Sequence, residues 1–200
     1  MSHKFNHTCG CTEKHWDNAN KACEILPRWL FCILFILCSF YLFKPVIVRQ
    51  LTNRAVTYIS YPLYDEAVRE YKKAIFLDKS NSSLYTGIAY VYRSKNDIEK
   101  AQETYHEAIR LDPGNKAAIF ELGMLYFKEA NFLEAAKYFN IISDLGEDDK
   151  KQTALGIVSY HHSALRMLVE CYSGLNQKEK EQTALQKLFS LYPKDRKREY

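Results

Sequence analysis

Glycine and proline are scarce in this 200-residue chain, at seven and five residues, and cysteine nearly vanishes after residue 44, where only Cys171 remains. A lone cysteine cannot close an internal disulfide, so the larger part of the chain must be held by packing. Few glycines leave no room for a phosphate-cradling loop, and no G-x-S-x-G or H-E-x-x-H sequence occurs. Net charge is also missing where it would matter: residues 48 to 193 carry 19 basic and 19 acidic side chains. A nucleic-acid binder concentrates basic charge on one face, and here only the tail KDRKREY, residues 194–200, gathers any. The sequence therefore reads as non-enzymatic, with no cofactor, no nucleic-acid partner and no small-molecule substrate.

What is present begins with WLFCILFILCSFYLF, Trp29 to Phe43, uncharged and bracketed by Arg28 and Lys44. Its apolar residues occupy every side of a helix, so protein or lipid must enclose it all round. Extended through Ile25 and Leu26 on one side and Val46 to Val48 on the other, it reaches the ~20 residues that cross a bilayer core. Arg28 and Lys44 can snorkel to headgroups, while Trp29 and Tyr41 are placed as interfacial anchors. The expectation is a single-pass signal-anchor helix over 25–48, preceded by an arm over 1–24 that is expected to be disordered. A soluble helix capping the rest of the chain is the alternative. A cleaved leader is disfavoured, because the run ends in Phe43-Lys44-Pro45 and not in a small-residue site. Basic residues on the two flanks nearly balance, leaning slightly to a cytoplasmic N-terminus.

From Val48 onward apolar residues recur at i, i+3, i+4 and i+7, the rhythm of amphipathic helices. The helices also repeat. DEAVREYKKAIFLD, EKAQETYHEAIRLDP and LEAAKYFNIISD lie in one phase: Ala67, Ala101 and Ala135 are 34 residues apart, as are Tyr71, Tyr105 and Phe139, and Tyr58, Tyr92 and Tyr126. In residues 82–115 the unit reads Tyr85-x2-Ile88-Ala89-x2-Tyr92, then Ala101-x3-Tyr105, Ala108 and Pro113. Residues 116–149 repeat it with Ile119, Leu122, Gly123, Tyr126, Ala135 and Phe139, but Ile142 and Glu147 replace the later Ala and the Pro. Residues 48–81 fit more weakly, with Leu51, Ala55, Tyr58, Ala67, Tyr71 and Ala74, and Arg54 in an apolar slot. After twelve extra residues, 162–195 offers Leu165, Leu168, Tyr172, Leu185, Leu188 and Pro193, with Glu181 where a small residue belongs.

This pattern resembles the tetratricopeptide repeat (TPR), a helix-turn-helix unit of 34 residues. Together with the apolar segment, the resemblance gives an expected all-α chain: a transmembrane helix followed by a short TPR-like solenoid over 48–193, in units 48–81, 82–115, 116–149 and an irregular terminal 150–195. The last unit's first helix is expected to start early, near Lys151, and run to about Tyr172. Small residues such as Ala89, Gly123, Ala101 and Ala135 let paired helices approach, and Tyr92, Tyr126, Tyr105 and Phe139 fill the space between pairs.

The resemblance also implies that the first helix of each unit lines a concave groove. Tyr90, Arg93, Phe120, Met124, Phe127, Lys128, Arg166 and Glu170 then become candidates to contact a protein or peptide partner. Phe120, Met124 and Phe127 have a plainer reading as core. The basic, Asn-bearing clamp by which some family members hold acidic C-termini is absent, since the matching slots hold Thr52, Val56, Thr86, Gly87 and Tyr90.

Two further clusters have weak signatures. His3, His7, Cys9, Cys11, His15 and Cys23 crowd the N-terminal arm, but Cys9-Gly10-Cys11 is not the C-x2-C that brings two thiolates to one zinc ion. A metal- or thiol-dependent role for this arm, with the repeats positioning it, is the second functional reading. His161 and His162 are adjacent on a helix, so their rings diverge by about 100° and cannot share one metal; both are expected to be partly exposed. Cys171 reads as a small packing residue.

Overall fold

Helix-forming residues at a 3.6-residue period, punctuated by short Asn-, Asp- and Pro-bearing turns, give a chain of helical hairpins. The computed structural model describes residues 28–146, 151–153, 156–193 and 195. The N-terminal arm with Cys9 and Cys11, the acidic residues 147–149 and all of the basic tail except residue 195 lie outside these. The helices run α1 (Arg28–Ser60), α2 (Tyr64–Leu77), α3 (Ser82–Ser94), α4 (Ile98–Leu111), α5 (Lys116–Lys128) and α6 (Phe132–Leu145), then α7 (Tyr160–Gly174) and α8 (Lys178–Leu191). Two compact units divide between Ile47 and Val48.

The first unit contains the apolar half of α1, whose side chains are bare: Phe35 and Tyr41 are each 76% exposed. The helix does not stop where the apolar run stops. Pro45 lies inside it, and α1 continues without a break to Ser60.

In the second unit, Val48 and Ala55 of α1 pack with Ala67, Tyr71 and Ala74 of α2 and with Leu84, Ile88 and Val91 of α3. A second apolar cluster joins α3, α4 and α5 through Ala89, Tyr105 and Leu122, and a third joins α5 to α8 through Ile119, Phe139, Leu165 and Leu188. Among the described residues, Tyr92 packs on both the first and second clusters, while Ile109, Tyr126 and Tyr138 pack on both the second and third. Tyr126 and Tyr138 stack face to face with ring centres 5.5 Å apart. The small residues sit under large rings: a Cβ on Gly87 would lie 2.5 Å from the ring of Tyr71, and one on Gly123 would lie 2.8 Å from that of Phe139.

Helix starts are capped by side chains that accept from otherwise unpaired amides. Asp97, Asn115, Asn131 and Ser159 receive the N–H of Lys100, Ala118, Glu134 and His162 respectively. Within three hairpins the turn places one residue in the left-handed region: Asn96 (φ 65), Ala130 (φ 57) and Asn176 (φ 56). Asparagine tolerates that conformation, whereas alanine bears a penalty of about 1–2 kcal/mol. Glycine at 130 removes it and adds about 0.4–1 kcal/mol of unfolded-chain freedom. Ala130→Gly is therefore expected to raise stability by about 0.5–1 kcal/mol in urea unfolding, and an unchanged or lowered midpoint would contradict this.

The expected early start of the last unit is not what forms. In place of a helix from Lys151, strands β1 (Lys151–Thr153) and β2 (Gly156–Val158) pair antiparallel, with Gln152 opposite Ile157, and α7 begins only at Tyr160. β-branched Thr153, Ile157 and Val158 favour extended backbone, and Ser159 then caps the helix. The extra residues between units are thus a small hairpin on an otherwise all-α fold. The irregular last unit nonetheless packs: Leu165, Leu168, Ala184 and Leu188 are buried, while Glu181 stays at the half-buried margin.

Candidate functional site

Which helices touch sets the inner side of the solenoid. First helices meet one another, α3 against α5 and α5 against α7, while α4 and α6 pack on the first helix of their own hairpin and on that of the next. Helices that touch across repeats are closer together than those that do not, so the first-helix side is the inner, concave one.

On that side, Arg93 of α3 reaches Glu121 of α5 at 2.5 Å, with each side chain less than a quarter exposed. The same guanidinium lies over the ring of Tyr90, 4.6 Å from its centre, an attraction of a cation for an aromatic face. Tyr105 lies beneath. Its ring is fully buried, and its hydroxyl is among the buried polar atoms that find no hydrogen-bond partner. Burial holds the Tyr105 phenol well above its ordinary pKa, and the charge of Glu121 pushes the same way.

Glu121 is itself raised, because desolvation outweighs the opposing pull of Arg93 and Lys128. The folded protein therefore holds this proton more tightly than the unfolded chain does. Protonation of Glu121 favours folding fully below its ordinary value of 4.5, and that contribution is lost as pH rises through the raised folded value. Measured as the difference in Tm between the wild type and Glu121→Gln, relative stability should be greater at pH 4 than at pH 7. A flat difference would show that burial does not govern this carboxylate.

Farther along the groove, Phe120 is half-buried, its ring 5.6 Å from Phe139 and 5.7 Å from Tyr160. Phe127 meets Phe132 edge-on at 5.3 Å, and Met124 lies partly buried on the same cluster. These three are shared between core and surface. Lys128, Arg166 and Glu170 are exposed. The structure thus joins Tyr90 with Arg93 in one polar cluster and sets Phe120, Met124 and Phe127 along the third apolar cluster, while Arg166 and Glu170 are exposed on α7. Glu121, Tyr105 and Tyr160 belong to this side and were not among the candidates; Arg93 and Glu121 are 28 residues apart, off the repeat spacing that guides the eye.

Thr86 and Gly87, in clamp slots, are occupied internally. The Thr86 hydroxyl donates to the Ser82 carbonyl and accepts from the Asn115 amide, and Gly87 faces Tyr71.

Of the histidine pair, His162 is partly exposed as expected, and His161 is not. His161 is 2% exposed, and its Nδ1 lies 3.1 Å from the hydroxyl of Tyr192, which covers it from the end of α8. His162 is half-buried against the same ring and bonds the Asp195 carboxylate. Burial pushes the Cys171 thiol up to about 12, so it is protonated at neutral pH and unsuited to nucleophilic attack. Among the described residues no three His, Cys, Asp or Glu side chains converge as metal ligands.

Stacked helical hairpins with a shared seam and an inner face define a helical-repeat protein. Residues 89–129 match the family description "TPR repeat" and residues 163–195 match "Tetratricopeptide repeat". The chain thus carries tetratricopeptide repeats in these two segments. It is 30% identical over 141 residues to the TPR repeat-containing protein MJ1428 of Methanocaldococcus jannaschii, a match that takes in 57% of this chain and 24% of that protein. Among solved structures it is similar to MamA, with TM-score 0.58, 18% identity and coverage of 78% of this chain and 83% of that one. It is also similar to the first TPR domain of Spaghetti (RPAP3) bound to the HSP90 peptide SRMEEVD, with TM-score 0.52, 21% identity and coverage of 65% and 94%.

Proposed function

We propose that this chain is a membrane-anchored TPR adaptor, whose concave face seats an extended or helical segment of a partner protein while α1 holds it to a bilayer. Support for the groove comes from the Tyr90–Arg93–Glu121 cluster beside the half-exposed strip of Phe120, Met124 and Phe127. A partly desolvated ion pair next to aromatic surface offers both directed hydrogen bonds and apolar area, the mixture that anchors peptides. The structurally similar Spaghetti domain holds a peptide ending in Glu-Val-Asp. This chain lacks free cations in the corresponding slots, so its partner segment is expected to be apolar with single charges and not an acidic C-terminus.

Support for the anchor comes from α1. Leu30–Ser60 contains a window of mean hydropathy 2.3, only 6% of it buried. A soluble capping helix of that composition would have its apolar side chains covered by protein. Tethering concentrates even a weak groove near membrane components.

The test is site-specific photocrosslinking in native membranes, with the crosslinker at position 90 on the inner face or at position 137 on the exposed face of α6. One discrete adduct from 90, lost in Phe120→Ala/Phe127→Ala and not formed from 137, is expected. Equal capture from both faces, or capture indifferent to the two phenylalanines, would refute the groove.

A further inference from the structure

The most exposed large apolar side chain of the described solenoid does not lie on the concave face. It is Phe76, in the last turn of α2 and 76% exposed, as bare as Phe35 and Tyr41 in the apolar half of α1. One exposed ring alone is ordinary on a protein surface; its surroundings are not. Leu51, Lys72, Lys73, Phe76 and Leu77 line a shallow open groove of about 430 Å³, walled almost wholly by carbon. The two lysines stand at its rim. Lys73 pairs with Glu70, whereas Lys72 makes no ion pair among the described residues. No acidic residue occurs between Lys44 and Asp65, while Arg49 and Arg54 are both exposed.

Leu51 follows Lys44 by seven residues. Even a fully extended chain of that length reaches no more than about 25 Å, so if Lys44 marks the end of a membrane span, this groove cannot be far from the headgroups. An apolar ring flanked by lysines is the pairing that suits an interface: the ring enters the acyl boundary while the ammonium groups stay with phosphate.

We infer that Phe76, with Leu51 and Leu77 beneath it and Lys72 and Lys73 beside it, forms a second contact with the bilayer, directed at anionic glycerophospholipid. The inference rests on the anchor proposed above. It gives the solenoid a seat on the membrane in addition to its tether, and restricts how the concave face is presented.

The experiment uses the full-length chain reconstituted in vesicles of phosphatidylcholine alone or with phosphatidylserine, each doped with a phospholipid carrying a photoactivatable group near the glycerol, with adducts mapped by mass spectrometry. Adducts are expected on 30–43 in both mixtures and also on 72–77, the latter rising with phosphatidylserine. They should be abolished by Phe76→Ser and lowered roughly tenfold or more by Lys72→Gln/Lys73→Gln, from about a factor of five per basic residue at an anionic surface. Phe76 is so exposed that Phe76→Ser should leave the circular dichroism spectrum and Tm unchanged, separating lost contact from lost fold. Adducts on 30–43 without any on 72–77 would overturn the second contact and leave the anchor standing. Absence of adducts on 30–43 would overturn the anchor and this inference with it.

Discussion

Replacing Phe139 by alanine is expected to destabilise the solenoid by about 3–5 kcal/mol, the cost of removing a wholly buried aromatic ring and leaving its cavity. Phe139 is 0% exposed and belongs to the cluster that joins α5 to α8. Because a domain of this size holds only about 5–15 kcal/mol in total, the loss should bring unfolding close to physiological temperature, read as a large fall in the urea midpoint. The ring also defines a coupled partner. A Cβ on Gly123 would approach its Cε1 to 2.8 Å, so Gly123→Ala alone should destabilise even though alanine is the better helix former by about 1 kcal/mol. In the Phe139→Ala background the obstruction is gone, and the same substitution should become neutral or stabilising. Additive effects in this double-mutant cycle would refute the packing described for α5 and α6.

The second large effect concerns α1. Arginine at the centre of a membrane helix costs about 2.5–3.5 kcal/mol on insertion scales. Leu34→Arg/Leu37→Arg places two in the apolar run, where the native side chains are 55% and 58% exposed. The wild type is expected to stay with the membrane in alkaline carbonate and the variant to appear in the supernatant. Release of the wild type itself would refute the anchor and favour the soluble cap.

The repeats were legible because the same physical demand recurs at a fixed interval. Where two helices cross closely only a small side chain fits, and 34 residues later the same crossing needs the same size, as Ala67, Ala101 and Ala135 record. The short hairpin was not legible. Three residues per strand are too few to establish an alternation, and Leu155-Gly156-Ile157-Val158 reads equally well as the approach to a helix. His161 was misjudged for a different reason. Its burial depends on Tyr192, 31 residues away on the far end of α8, and no local pattern announces such a lid. On the groove, Tyr90 and Arg93 are candidates through the family resemblance, one helical step from the packing slots, whereas Glu121 is placed beside them by its bond to Arg93, a choice among several charged neighbours that only three-dimensional packing makes.

Tyr92 is the one side chain among the described residues that packs on both the first and second apolar clusters, while three side chains serve both the second and third. On the proposed membrane tether, a pull enters the solenoid through the cluster in which Leu84, Ile88 and Val91 of α3 hold α1 and α2. The hairpins beyond, whose clusters share three side chains, are loaded only after that seam gives way, so an overloaded tether should yield near its root.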